Sequence, residues 1–298
     1  MLLREDPVVR YAFIKSHHDN CSIQVLCKIL DVSRAGYYQW LKGRVSKQAI
    51  RRQAVLEEIQ SIHVDSRGIY GSPRVHQKLK RKGIHINHKT VESIMQKNGI
   101  RAKRRRKFKV TTDSKHNLPV ADNLLQRQFN PDKPNQAWVS DITYIGTDEG
   151  WLYLATFIDL YSRKVLGWSM SSRINADLVL NAFRMALSKR GTKVTPLVHS
   201  DRGSQYASDL FRAELEFRGC QQSMSRKADC WDNSVAESFF GSLKVEMVHH
   251  EKFRTRQEAQ HRVFDYIEVF YNRQRLHSTL NYMSPEEFET KMQQPQAA

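Results

Sequence analysis

The chain has 298 residues, 40% of them apolar and 27% charged, which fits a globular protein rather than a disordered one and allows two or three domains. Its formal charge of +17 is unevenly spread: residues 1–133 hold 28 Lys and Arg against 11 Asp and Glu, whereas residues 134–298 hold 20 of each. That split predicts a polyanion-binding region joined to an electrically neutral one. No apolar run approaches the roughly 20 residues that a bilayer span requires. The N-terminal MLLREDPVVRYAF is a poor signal peptide. Cys21, Cys27, Cys220 and Cys230 form no CxxC pair, so reduced thiols, no zinc site and a cytoplasmic location are expected. The basic run lacks the apolar helix face that a membrane surface would need.

In chain order, residues 22–43 show two short helical patterns around a break, with Val32 and Ser33 as a turn and cap. This outlines a helix-turn-helix or a plain helical hairpin. The region 1–48 is read as a first such unit. Residues 49–110 form a second. There Ser72 is expected to cap a helix that has Pro73 at its first position and Gly83 beyond its end. Asn87 is expected to cap a partner helix with Val91, Ile94 and Met95 inside. The run RAKRRRKFK follows, with Arg101, Lys103, Arg104, Arg105, Arg106, Lys107 and Lys109 as candidate contacts to DNA phosphates. Residues 111–134 are polar, contain prolines and read as a linker.

From residue 135 the texture changes. Three strands, 136–145, 151–160 and 164–170, form a meander. A helix at 175–191, a strand at 196–201, a helix at 208–219, a strand at 220–225 and helices near 232–247 and 255–274 complete a mixed five-stranded sheet with flanking helices. This α/β region extends to 290, and 291–298 is expected to be a disordered tail. Trp138, Tyr144 and Trp168 are expected in the core and Asn233 as a helix cap.

Three acids stand out against this pattern. Asp141 interrupts a strand, where Asp is disfavoured. Asp201 ends a buried strand, where α/β sheets gather ligands. Glu237 lies at the edge of the apolar stripe Ala236, Phe239, Phe240, Leu243 and Met247, with Lys244 two turns along. Glu246 reads as an ordinary solvated carboxylate. The trio can converge on one point, where hard oxygen donors suit Mg²⁺ or Mn²⁺ and a cation offsets their repulsion. A Ser-His-Asp reading of His199–Asp201 fails because neighbouring strand residues alternate faces.

These motifs carry a resemblance. W-x-x-D-I-T-Y around Asp141, H-S-D-R-G-S-Q-Y around Asp201 and D-N-S-V-A-E-S-F-F around Glu237 resemble the retroviral-integrase-type core of the DDE transposases. The 35 residues between Asp201 and Glu237 and the basic residue seven past Glu237 belong to the same pattern. Together with the run from Tyr271 to Pro285, they most resemble the second-frame (OrfB) transposases of the OrfA/OrfB bacterial insertion-sequence family. Residues 68–109 resemble the helix-turn-helix module of that family. The resemblance implies an RNase H-like core behind an all-α DNA-binding region and a site of two Mg²⁺ (or Mn²⁺) ions on Asp141, Asp201 and Glu237. It also implies DNA strand cleavage and transfer. Lys244, Arg202 and His199 are then candidate DNA contacts. The implied partners are double-stranded insertion-sequence ends and target DNA, with a homo-oligomer on the DNA. Either this chain or its fusion to an upstream OrfA product is the working species. The rival readings are a metal-dependent nuclease on the same fold and a DNA-binding regulator without catalysis.

Overall fold

The computed structural model describes residues 5–43, 47–103, 119–227 and 229–293. Helices α1 (Pro7–His17), α2 (Ile23–Ile29) and α3 (Arg34–Leu41) close over a small core of Ile14, Leu26, Cys27, Leu30 and Tyr37. Ser22 and Ser33 cap α2 and α3 by accepting from the backbone N–H groups of Val25 and Gly36. Next come α4 (Lys47–Asp65), α5 (Ser72–Arg81) and α6 (His88–Lys97). Asn87 caps α6 through Lys89 N–H. The expected Ser72 cap is corrected: Ser72 is already helical, Gly71 holds the cap position, and the Ser72 hydroxyl pairs with the His88 ring at 3.2 Å.

The sheet runs β3-β2-β1-β4-β5 among the described residues, with β1 Ala137–Thr147, β2 Gly150–Asp159, β3 Val165–Ser171, β4 Leu197–Ser200 and β5 Gln221–Met224. The meander β1–β3 is antiparallel, and β4 and β5 add in parallel. Alternation along β1 sorts side chains to two faces. Trp138 joins α7 (Ala176–Arg190) and α8 (Asp209–Phe217) in one core, while Val139 and Ile145 join α9 (Ser234–Glu246) and α10 (Arg256–Phe264) in another. Helices therefore cover both faces, as a mixed α/β sheet requires. At Gly167 on β3, α7 approaches so closely that an added Cβ would lie 2.0 Å from the Ala182 carbonyl oxygen.

The helix expected at 255–274 is α10 followed without a break by a π turn, Asp265–Tyr271. Beyond it, the Asn272 amide bonds Val165 N–H and C=O on the edge strand β3 at 3.0 and 2.9 Å. Helix α11 spans Pro285–Gln293, so residues 291–293 of the expected tail are helical, and 294–298 lie outside the described residues. The described part of the linker is packed down. Leu125 is buried in the α9–α10 core, and Leu124 and Leu125 N–H groups donate to Ser223 Oγ. The helices α4–α6 share that same apolar cluster with α9 and α10.

Candidate active site

Strands β1 and β4 pair in parallel with Val139 opposite His199. Two residues further along, the same register sets Asp141 level with Asp201, just past the end of β4. Asp141 points to the face that carries Val139, under α9. Its Oδ1 accepts from Ile142 N–H at 2.7 Å, and Asp201 Oδ1 accepts from Gly203 N–H at 2.9 Å. Asn233 then fixes the start of α9 on β1: its side-chain N–H donates to the Ser140 carbonyl at 3.0 Å. Asn233 holds the cap position of α9 as expected, but its side chain spends its N–H on β1 and makes no side-chain cap bond. Glu237 stands exposed in the first turn of α9.

The three acids feel one another. Burial, then Asp201, then Glu237 push the Asp141 carboxyl well above the usual carboxylate range, against the pull of the Ile142 N–H and Lys244. Burial and Asp201 raise Glu237 in the same direction. Among the described residues, however, no three His, Cys, Asp or Glu side chains close around a common point as a metal shell. The three acids form a looser cluster, as mutual repulsion of carboxylates favours. The donor set still fits a hard divalent cation: carboxylate oxygens that raise each other's proton affinity are a site short of positive charge.

Lys244 is neither an exposed ion pair nor a free-standing phosphate hook. It is 9% exposed, lies 4.9 Å over the Tyr144 ring and is attracted to Asp141, while burial lowers its proton affinity. Trp138 is fully buried as expected, while Tyr144 and Trp168 are only half-buried.

His199, expected as a DNA contact, is corrected. It is fully buried, with Nδ1 2.8 Å from Ser223 Oγ and Nε2 3.3 Å from Ser225 Oγ, and burial pushes it down to about 4. A neutral core imidazole cannot reach a phosphate. Arg202 donates through Nε to the Ser225 carbonyl at 2.7 Å beside the Asp201 loop. Lys103 donates to the Glu246 carbonyl at 2.9 Å and is half-buried, so it also departs from an open phosphate contact. Arg101 is exposed, while Arg104, Arg105, Arg106, Lys107 and Lys109 lie outside the described residues.

Two groups escaped sequence reasoning. Asp232 is fully buried and is held well below the usual carboxylate range, chiefly by Arg226. It accepts from Arg226 N–H at 2.9 Å, Arg127 Nε at 2.9 Å and Asn123 Nδ2 at 2.8 Å, tying the linker to the turn before α9. Glu246, expected to be solvated, is buried instead. Arg275 grips it through Nε and Nη2 at 2.8 and 2.6 Å, and the Tyr266 hydroxyl donates to it at 2.7 Å. The reach from Tyr271 to Pro285 is therefore a structural seam. Tyr70 bonds Gln274 and Leu276, and Arg74 bonds Leu276, so α5 and the segment before it rest on this stretch.

The comparisons with known proteins agree in where they fall. A model described as HTH-like domain matches residues 51–108, and models described as Integrase core domain match 131–230 and 237–292. Transposase InsF for insertion sequence IS3A of Escherichia coli (strain K12) is 44% identical over 285 residues, covering 95% of this chain and 99% of the relative. The insertion element IS600 uncharacterized 31 kDa protein of Shigella sonnei is 41% identical over 269 residues, covering 90% and 99%. Among solved structures, a simian T-cell lymphotropic virus intasome in complex with PP2A regulatory subunit B56 gamma is similar at a TM-score of 0.46 and 14% identity. It covers 75% of this chain and 72% of that one. The HTLV-2 integrase catalytic core domain in complex with magnesium is similar at 0.41 and 15%, covering 53% and 99%.

Proposed function

The chain belongs to the insertion-sequence transposases with an integrase core, enzymes of the polynucleotidyl-transferase class, and from that membership we propose that Asp141, Asp201 and Glu237 are its catalytic acids. The observation that carries this reading is the placement of the acids: the β1–β4 register sets Asp141 level with Asp201, and the Asn233 tie to Ser140 fixes the start of α9, with Glu237 in its first turn, on the same strand. The three acids are the residues that would hold Mg²⁺ or Mn²⁺. A divalent ion there supplies Lewis acidity, lowering the pKa of an attacking oxygen and neutralising charge on the phosphate.

The chain's own groups do the positioning. Asp141, midway along β1, and Asp201, just past the end of β4, would hold the ion that places the scissile phosphodiester, and Glu237 stands in the first turn of α9 beside them. Lys244 contributes one positive charge beside Asp141. Attack by water yields a 3′-hydroxyl and a 5′-phosphate, with no covalent link to the protein. That 3′-hydroxyl then attacks a target phosphodiester, forming a new P–O bond and releasing the target's 3′-hydroxyl. Duplex DNA is held by the helix-turn-helix region and its basic run. A homo-oligomer on the DNA and an OrfA fusion or partner belong to the same proposal.

The test uses the full chain and the element's own end DNA, scoring cleavage and joining separately. Asp141→Asn, Asp201→Asn and Glu237→Gln each abolish both steps, while the fold by circular dichroism and the affinity for end DNA are retained. A variant of the trio that still cleaves at the wild-type rate overturns the assignment. Cleavage without joining by the wild type favours the nuclease reading.

A further inference from the structure

We propose that Trp231 is a stacking platform for a nucleobase unpaired at the DNA end being cut, an inference that rests on Asp141, Asp201 and Glu237 being the catalytic acids. Trp231 is 69% exposed and sits in the short 3-10 turn Cys230–Asn233 that leads directly into α9. Other exposed aromatics are engaged: Trp151 packs edge-on against Tyr144 at 4.9 Å, and Phe217 lies under Arg218 at 5.2 Å. Among the described residues no ring or cation covers the Trp231 indole.

The turn that presents it is locked. Trp231 N–H donates to Asp229 Oδ1 at 3.2 Å. The next residue, Asp232, is the buried acid gripped by Arg226, Arg127 and Asn123. The one after, Asn233, is tied to Ser140 beside Asp141. A large aromatic presented by a hydrogen-bonded turn carries only two side-chain torsions to order on contact with a partner. The chemistry of that partner follows from the surroundings. Among the described residues of the turn, Arg226, Lys227 and Asp229 are charged and partly or fully exposed, so the described surroundings of the indole are polar rather than the broad apolar patch that a protein partner covers. An exposed aromatic face with the exposed Lys227 in the same turn matches a base with its phosphate, and stacking tolerates any base. Glu237 is six residues on, exposed in the first turn of the helix that this turn leads into, so the platform lies on the catalytic side of the chain's path into α9. A base can stack there only after leaving its pair, so the platform favours an end whose terminal pairs are open.

The test is single-turnover cleavage by the full chain on two end duplexes, one fully paired and one mismatched in the pairs flanking the cut. Trp231→Ala is expected to cleave the paired end about tenfold more slowly, the size of one lost base stack, and to recover to within about twofold of wild type on the mismatched end. Trp231→Phe, which keeps an aromatic face, is expected to retain most of the rate on both. An equal loss on both duplexes, no loss on either, or a Phe variant as slow as the Ala variant overturns the proposal. So does a changed sedimentation coefficient for Trp231→Ala, which would mean that a second copy of the chain covers the indole. Asp201→Asn, run alongside, separates the two readings: if it cleaves either duplex, the catalytic assignment fails whatever Trp231 does.

Discussion

Glu237 and Glu246 lie on one helix with opposite surroundings, the first exposed at its start and the second buried at its end. Glu246 makes a buried ion pair with Arg275, which is 5% exposed, and the Tyr266 hydroxyl satisfies it further. Removing one partner of such a pair strands the other charge in the core, which costs about 3 kcal/mol or more. Glu246→Gln is therefore expected to lower denaturant stability by about that amount, read as a shift of the urea midpoint at constant slope. A change below about 0.5 kcal/mol would show the pair to be incidental. Helical periodicity places Glu237 correctly at the edge of the apolar stripe but misreads Glu246, because it sees only neighbours within a turn or two. The partner that buries Glu246 arrives 29 positions later. His199 is misread for the same reason: its hydroxyl partners, Ser223 and Ser225, come from β5 and the residue just past it.

Helix α9 is pinned at both ends. Asn233 ties its first turn to the Ser140 carbonyl, and at its last residue the Glu246 carbonyl accepts from Lys103 while the carboxylate is held by Arg275. A cation at the C-terminal carbonyls suits both their unmet hydrogen-bonding capacity and the helix dipole. The tie at Ser140 sits next to Asp141, so it sets the distance between the helix and the strand that carry two of the acids. Asn233→Ala is expected to reduce the cleavage rate about tenfold or more, since small misplacements of reacting groups are expensive, and to leave affinity for end DNA within about twofold. Equal losses in rate and affinity would mean that the tie supports the whole fold rather than the site. The strands and α7–α9 were legible because their apolar periodicity is local. The π turn and the packed linker were not, because both depend on distant partners: Asn272 closes the edge of β3, and Asp232 draws in Asn123 and Arg127.

Helices α4–α6 of the HTH-like region and the integrase core pack together along α9 and α10. Val55, Ile59, Leu79, Met95 and Leu125 share a single apolar cluster with Leu243, Phe270 and Leu276. Arg67 pairs with Asp265 and Arg81 with Glu287 at the margins of the same seam. The charge split at residue 133 was legible in the sequence, but it is not a structural boundary, since a cut there would divide this cluster. How the protein responds to metal is therefore a property of the intact chain. If Asp141, Asp201 and Glu237 form one site for a divalent cation, thermal melting of wild type and Asp141→Asn at pH 8, with and without Mn²⁺, reports it. Without metal, the crowded carboxylates repel, so Asp141→Asn is expected to melt above wild type. With Mn²⁺ at a hundredfold excess over its dissociation constant, wild type is expected to gain about 2.7 kcal/mol and the variant clearly less. Identical wild-type melting with and without Mn²⁺, together with an Asp141→Asn protein no more stable than wild type in its absence, would contradict a shared site.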